Sequence, residues 1–471
     1  LEAGSNDVVI AVKARTLGCA QNAIGKIENM LSTEQKRESG TYFPKTFSAA
    51  HAMMPDANIV VISVPGAFAK REALKALENG LHVFLFSSEV PVEDELELKQ
   101  LGTKKGLLVM GPDCGTAIIR GVVLGFGNVL SGGPIGIVAA SGTGIQQVST
   151  IIHRMGSGIS HAIGTGGRDL SQEIGGIATL NGIEYLERDE KTKLILLISK
   201  MPSQQALQKV IAVANRCQKA IIINIIGSEW ARIQETKLIP ATTLEDAAYK
   251  AVASAKGCTL EVGMFTLSKE KILAIANRER GLLSHTQIYI RGLFSGGTIC
   301  SESLAILRDL VGVVYSNTPI THGSKLANAH KSKNHTCVDM GAEEFVMGRP
   351  HPMIDLTLRK ERILRESRDP TTGAILLDIV LGYGAHPDPA GVLACVIRQA
   401  KKEAEMDGRY MPVVASVVGT ELDSQNLTEQ EEKLKDAGVI VLPSSTQATR
   451  MAALIVSQRE VQSKLFQGEG E

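Results

Sequence analysis

PIGIVAASGTGIQQVSTIIHRMG, residues 134–156, decides the fold class. PIGIVAA is a short apolar run with β-branched Ile135, Ile137 and Val138, and it reads as a strand. GIQQVSTIIHRMG then places Ile145, Val148, Ile151 and Ile152 at helical spacing and stops at Gly156. The turn between them, Ser141–Gly144, is glycine-rich. A strand that feeds a glycine turn and then a helix is the unit of an open parallel α/β sheet.

The same alternation extends outward. ISHAIGTG, TKLILLIS and KAIIINIIG are strands, and SQEIGGIATLNGIEYLERD and SQQALQKVIAVANRC are helices. Upstream, ANIVVISVP, LHVFLFS and GLLVMGPDCGT are strands separated by GAFAKREALKALENG and VEDELELKQLGTKKG. Downstream, AILLDIVLGYG, MPVVASVVG and GVIVLPSS alternate with PAGVLACVIRQAKKEAEMDG, LTEQEEKLKDAG and TQATRMAALIVSQREVQSKL. The expected architecture is α/β throughout: a Rossmann-like domain at 41–130, then flavodoxin-like domains at 131–257 and 336–471 with parallel sheets. Residues 258–335, in which QIYIRGLFSGGTICSESLAILRDLVG reads as strand, glycine turn and helix, are expected to form a linking α/β region, and 1–40, with a strand at 6–14, to be the remnant of an N-terminal α/β segment. The chain opens on LEAGSND rather than Met, so sequence is expected to precede it.

Composition narrows the function classes. The 471 residues suffice for three domains. Lys plus Arg and Asp plus Glu both number 50, which gives no large one-signed surface and disfavours nucleic acid and acidic membranes as partners. Forty-six glycines and 4% aromatics suit tight strand-to-helix turns. The seven cysteines are odd in number and scattered, with no CxxC or Cys/His cluster, so no metal site or disulfide framework is expected and a reducing cytoplasmic setting is. There is no run of 18 or more apolar residues, no P-loop, and no G-x-S-x-G, H-E-x-x-H or kinase signature.

Ligands of such sheets sit beyond the strands' carboxyl ends, where helix N-termini attract anions. Four turns qualify. In the first, Ser141, Gly142, Thr143 and Gly144 offer hydroxyls and amides to a phosphate or carboxylate; otherwise Ser141 is only an N-cap. In the second, Gly382 and Gly384 precede His386, a candidate proton carrier, and Asp388, a candidate ligand group or a cap ahead of Pro389. The third carries Arg168, whose fork matches a carboxylate or phosphate unless it pairs with Asp169. The fourth is GPDCGT, where Gly111, Pro112, Asp113 and Cys114 line a pocket, with Cys114 read as packing or pocket wall. GRPHPMID, with Arg349 and His351, is a rigid polar loop suited to a substrate lid or an interface.

The motifs GPDCGT, AASGTG, VDMGAEE and VLGYGA, in this order, resemble succinyl-CoA synthetase: the α subunit followed by the C-terminal domain of the β subunit. LLVMGPDCGTAI, ASGTGIQ, IGTGGRDLS and GRPHPMID identify the chain as a member of the FdrA family, which fuses these parts. The resemblance implies a CoA-binding-type first domain, CoA as a candidate cofactor at Gly111–Cys114, and a phosphate seat between two helix N-termini, at SGTG and at GYGAHPD. It also implies departures. INIIGSEWARIQETKLIP holds no histidine where the synthetases carry their phosphorylated one, and Lys200 stands where a glutamate orients it. No GFTGSQG loop and no ATP-grasp half is present.

The FdrA resemblance implies a component of oxamate carbamoyltransferase, in allantoin breakdown, that interconverts oxalurate plus phosphate with oxamate plus carbamoyl phosphate. Ser141, Arg168 and His386 would be catalytic. Arg168, Arg349, His351 and Asp388 would bind substrate. The alternatives are an acyl-CoA synthetase acting on another acyl group and a metabolite-binding scaffold. Companion subunits encoded nearby and a homodimer are expected partners, besides phosphate or an acyl phosphate.

Overall fold

A computed structural model of the chain describes residues 12, 14, 16–32, 44–227, 236–259 and 263–466. It divides into two units, Leu1–Ala57 and Asn58–Glu471. The first holds α1 (Leu17–Ser32) and α2 (Phe47–Met53), the latter capped by the Thr46 side chain, which accepts from the Ala49 amide. Apart from residues 12 and 14, the strand expected at 6–14 lies outside the described residues.

The second unit contains three sheets. The first is built from β1 (Ile59–Ile62), α3 (Gly66–Glu78), β2 (His82–Leu85), α4 (Val92–Lys105) and β3 (Val109–Met110), with the strands parallel in the order β1-β2-β3. Helix α4 shows why these boundaries hold. Glu93, Asp94 and Glu95 fill its first turn, Lys104 and Lys105 its last, and Gly106 ends it at φ +70°.

The second sheet comprises β4 (Thr116–Ile119), β5 (Val122–Gly125), β6 (Gly132–Ala139), α5 (Gly142–Arg154), β7 (Ile159–Gly164), α6 (Ile177–Arg188), β8 (Leu194–Ser199), α7 (Gln204–Ala214), β9 (Ala220–Ile225), β10 (Leu238–Pro240) and α8 (Leu244–Lys256). Its order is β10-β9-β8-β6-β7-β4-β5. The parallel strands β6 to β10 follow the flavodoxin order 2-1-3-4-5, and the β4–β5 hairpin adds antiparallel to β7.

The third sheet follows α9 (Lys269–Gly281). Its elements are β11 (Tyr289–Phe294), α10 (Gly297–Val311), β12 (Thr336–Asp339), α11 (Glu343–Val346), α12 (Thr357–Ser367), β13 (Thr372–Val380), α13 (Pro389–Met406), β14 (Val413–Val418), α14 (Leu427–Asp436), β15 (Ile440–Leu442), α15 (Ser445–Val456) and α16 (Gln458–Leu465). The order β12-β11-β13-β14-β15, all parallel, is again 2-1-3-4-5. Both expected flavodoxin-like sheets are present. Their central strands carry apolar residues on both faces because helices cover both: β8 is buried at all six positions and β13 at all nine.

Two expected boundaries move. The expected strand, turn and helix of the linking region 258–335 are present as β11 and α10, but they belong to the third sheet, where β11 pairs between β12 and β13. The region 41–130 gives up β4 and β5, which join the second sheet through β7. Polar contacts tie the layers together. Lys99 on α4 meets Glu95 at 2.7 Å and Asp169 of the second layer at 2.8 Å, all fully buried. Asp423 of the third layer accepts from Asn128 Nδ2 at 2.7 Å and from the Val129 amide at 2.8 Å. Among the described residues no helix is long and apolar enough to cross a membrane.

Within the third layer Asp378 of β13 is wholly buried. It accepts from the Ser295 amide at 2.8 Å, Ser295 Oγ at 3.0 Å, the Gly296 amide at 2.8 Å and Arg359 Nη2 at 3.1 Å. Asp378→Ala should cost roughly 3–5 kcal/mol, because it strands a buried guanidinium. Urea unfolding measures this, and a loss under about 1 kcal/mol would contradict the assignment. In the native protein, alkylation should modify exposed Cys19, Cys258 and Cys395, whereas Cys114, Cys217, Cys300 and Cys337 should react only after denaturation. Peptide mass spectrometry separates the two groups.

Candidate functional site

The second and third sheets bring two helix N-termini together. Helix α5 leaves β6 through Ser141, and α10 leaves β11 through Gly296; neither start has a side-chain cap. Their first-turn amides therefore lack partners within the helix. Both exits lie beside the point where strand order reverses, between β6 and β8 and between β11 and β13.

Glycines let the two turns approach. A methyl group on Gly142 would lie 2.7 Å from Thr116 Oγ1, one on Gly296 3.0 Å from Thr143 Oγ1, and one on Gly144 3.2 Å from Thr298 Cγ2. Three hydroxyls thus gather at the facing helix ends: Thr116, Thr143 and Thr298. All three Oγ1 atoms are buried with no hydrogen-bond partner. Thr116 is 1% exposed and Thr298 2%. An unsatisfied buried hydroxyl costs stability, so three beside two uncapped helices mark a seat for an oxyanion.

Lys200 follows β8 at the same edge. It is exposed, forms no ion pair among the described residues, and its charge acts on Asp339, Asp113 and Cys300 together. Asp339 ends β12. Burial pushes its carboxyl up to about 6, against the opposing pull of Lys200. His351 comes from the GRPHPMID loop. A methyl group on Gly341 would meet His351 Nε2 at 2.7 Å, the Ser295 carbonyl at 2.9 Å and Asp339 Oδ1 at 3.3 Å, so these groups converge above Gly341. Burial lowers the His351 imidazole to about 4, and its ring lies 5.6 Å from Phe126. It is neutral at physiological pH.

Of the expected phosphate ligands, Ser141, Gly142, Thr143 and Gly144 stand at the seat. Gly382 and Gly384 do not serve as its second half. The Gly382 amide donates to Gln425 Oε1 at 3.1 Å, and Gly384 packs on the Phe126 ring. The helix they lead to, α13, is already capped by Asp388, which accepts from the Gly391 amide at 3.1 Å and binds Lys433 at 2.9 Å. That carboxylate caps α13, and the helix end that faces α5 is that of α10.

His386 donates its amide to the Met353 carbonyl, and its Nδ1 accepts from the Asp388 amide at 3.0 Å. It stands beside the His351 loop instead of at the threonines. Arg168 pairs with Glu95 at 2.9 Å and donates to the Val90 carbonyl at 2.6 Å, while Asp169 binds Lys99; the two neighbours do not pair with each other, and Arg168 is not a waiting clamp. Arg349 is exposed and lines a cleft of about 260 Å³ with Pro350, Pro352, Asp355, Thr357 and Leu358. Gly111 and Pro112 lie against Gly166, and Cys114 Sγ against Gly164, in the turn of the second layer. The Cys114 thiol is pushed up to about 12 by burial and forms pocket wall, not a nucleophile. Thr116, Thr298, Asp339 and Ser295 were not singled out by sequence reasoning. Thr116 was part of the quoted GPDCGT, and Lys200 was noted only for replacing a glutamate.

Two family models match the chain. One described as a CoA binding domain covers residues 132–226, and one described as CoA-ligase covers 293–455. The first falls on the second sheet; the first sheet lies outside both matches. The uncharacterized protein YahF of Escherichia coli K12 is 42% identical over 461 residues, 98% of this chain and 88% of that protein. The ADP-forming succinate–CoA ligase subunit alpha 2 of Archaeoglobus fulgidus is 31% identical over 150 residues, 31% of this chain and 51% of that subunit. Among solved structures, ATP citrate lyase from Methanothrix soehngenii is 14% identical, with 90% of this chain and 82% of that chain covered and a TM-score of 0.39. With near-full-length similarity to YahF and the CoA-binding and CoA-ligase segments in succession, the chain belongs to the YahF-like FdrA family, built like a succinyl-CoA synthetase α subunit joined to a ligase domain.

Proposed function

We propose that the protein is a component of a carbamoyltransferase that interconverts oxalurate plus phosphate with oxamate plus carbamoyl phosphate. The observation that carries this reading is the oxyanion seat between α5 and α10, lined by three unpartnered threonine hydroxyls and furnished with Lys200. Such a seat handles phosphate or an acyl phosphate directly, with no phosphorylated histidine between. A phosphate oxygen attacks the ureido carbon, the new O–C bond forms, the C–N bond breaks and oxamate departs with a proton on nitrogen. The first-turn amides of α5 and α10 and the Lys200 ammonium stabilise the negative charge on phosphate and on the developing tetrahedral oxygen. Ser141, whose side chain makes no capping bond, is placed to join them. Arg349, exposed and in no ion pair among the described residues, is the cation we assign to the oxalurate carboxylate.

The second reading is an acyl-CoA ligase on another acyl group, favoured by the CoA-binding and CoA-ligase matches. The deciding assay supplies carbamoyl phosphate and oxamate, with and without CoA, to the protein purified with the subunits that accompany it. Oxalurate should form without CoA. Thr298→Val should lower turnover about 10- to 100-fold, the loss of one hydrogen bond to a charged group, and Lys200→Met should raise the KM for carbamoyl phosphate. No oxalurate from an intact preparation would overturn the carbamoyl reading; a CoA thioester in its place would establish the ligase.

A further inference from the structure

Asp339 is held unusually firmly beside the oxyanion seat. Asn317 grips its backbone from both directions: Nδ2 donates to the Asp339 carbonyl and Oδ1 accepts from the Asp339 amide, each at 2.9 Å. Oδ1 accepts from the Gly341 amide at 2.9 Å. Oδ2 has no hydrogen-bond donor among the described residues and faces the first turn of α10, where a methyl group on Gly297 would lie 2.6 Å from it. Only glycine at 297 leaves room for this approach. A carboxylate oxygen is thus aimed at the amides that an oxyanion would use.

The surrounding charged and titratable groups come from every neighbouring element. Lys200 follows β8, Asp113 follows β3, Asp378 lies on β13, Cys300 on α10 and His351 in the loop before α12. Cys300 is kept a thiol and His351 neutral by burial, and Asp378 is paired with Arg359. Asp113 draws on Arg168 before Lys200, which leaves Lys200 as the cation that serves Asp339 and a bound oxyanion. Two negative groups that share one cation oppose each other's ionisation.

We propose that Asp339 takes up a proton when an oxyanion is seated between α5 and α10, so that anion binding at this site is coupled to proton uptake. The coupling rests on the oxyanion seat; its catalytic use rests on the carbamoyl reading. In that reaction Asp339, protonated as phosphate binds, donates its proton to the departing oxamate nitrogen while an unprotonated phosphate oxygen bonds to the ureido carbon and the C–N bond breaks, and Asp339 returns to the carboxylate. The resting carboxyl, raised to about 6, stands near enough to neutrality to gain the proton on binding and to give it up again.

Sulfate tests the coupling, because it has no proton of its own to exchange near neutrality. Calorimetric titration at pH 7.5 in two buffers of different ionisation enthalpy counts the protons taken up. The wild-type protein should take up a large fraction of about one proton per sulfate. Asp339→Asn keeps an acceptor for the Gly341 amide, and should bind sulfate as tightly or more tightly with no uptake. Equal uptake by the variant, or none by the wild type, overturns the role of Asp339. Sulfate that binds neither protein removes the seat itself and the inference with it. In the carbamoyl assay Asp339→Asn should lose about 100-fold or more in turnover with little change in KM. A wild type that binds sulfate with proton uptake yet makes no oxalurate would sink the carbamoyl reading alone and leave the coupling intact.

Discussion

A carboxylate with no access to water, Asp378, sets the position of the third layer's functional edge. Burying such a charge costs several kcal/mol unless donors surround it. Here the donors are two successive backbone amides, one hydroxyl and Arg359, and the amides belong to the turn that launches α10. Arg359 also donates to the carbonyls of Leu293 and Asp378, which closes the ends of β11 and β13 over the same spot. The charge pair therefore holds the turn and the two strands in one arrangement. The free amides of α10 point where they do because Ser295 and Gly296 are already spent on Asp378.

That rigidity makes a crowded site workable. Thr116, Thr143, Thr298, Lys200 and Asp339 come from five separate segments in the second and third layers, and glycines at 142, 144, 296 and 297 remove the side chains that would push them apart. The cost is three hydroxyls that find no partner within the protein. An arrangement that leaves polar groups unsatisfied until an anion arrives gains its hydrogen bonds at the moment of binding, with little reorganisation.

Much of this was legible because parallel strands covered on both faces are apolar at every position. LILLIS and AILLDIVL announce themselves as strands, and SGTG as the turn after one. Strand order is not written in such runs. QIYIRGLF reads as a strand, but the sheet it joins is decided only by β12 and β13, which flank it. The same limit applies to the second helix end: GYGAHPD offers glycines and a histidine, but only the fold shows that Asp388 caps the helix that follows. Conversely, FSGGTIC carries the working turn with no charged residue to draw notice. Thr298 acquires its role from Gly144, more than 150 residues away. Asp339 and Asp378 sit inside apolar strands, and a sequence does not show which of them is neutralised by Arg359 and which is left facing a ligand.

The two helix ends belong to different sheets of one continuous polypeptide, joined through the segment between α8 and α9. Bringing them together is a unimolecular event, governed by an effective concentration that the tether sets rather than by how much protein is present. The asparagine–aspartate bond between Asn128 and Asp423, and the Glu302 carboxylate that receives the Leu244 amide and Ser445 hydroxyl, then need only orient two halves that never part. Such a site does not dissolve on dilution.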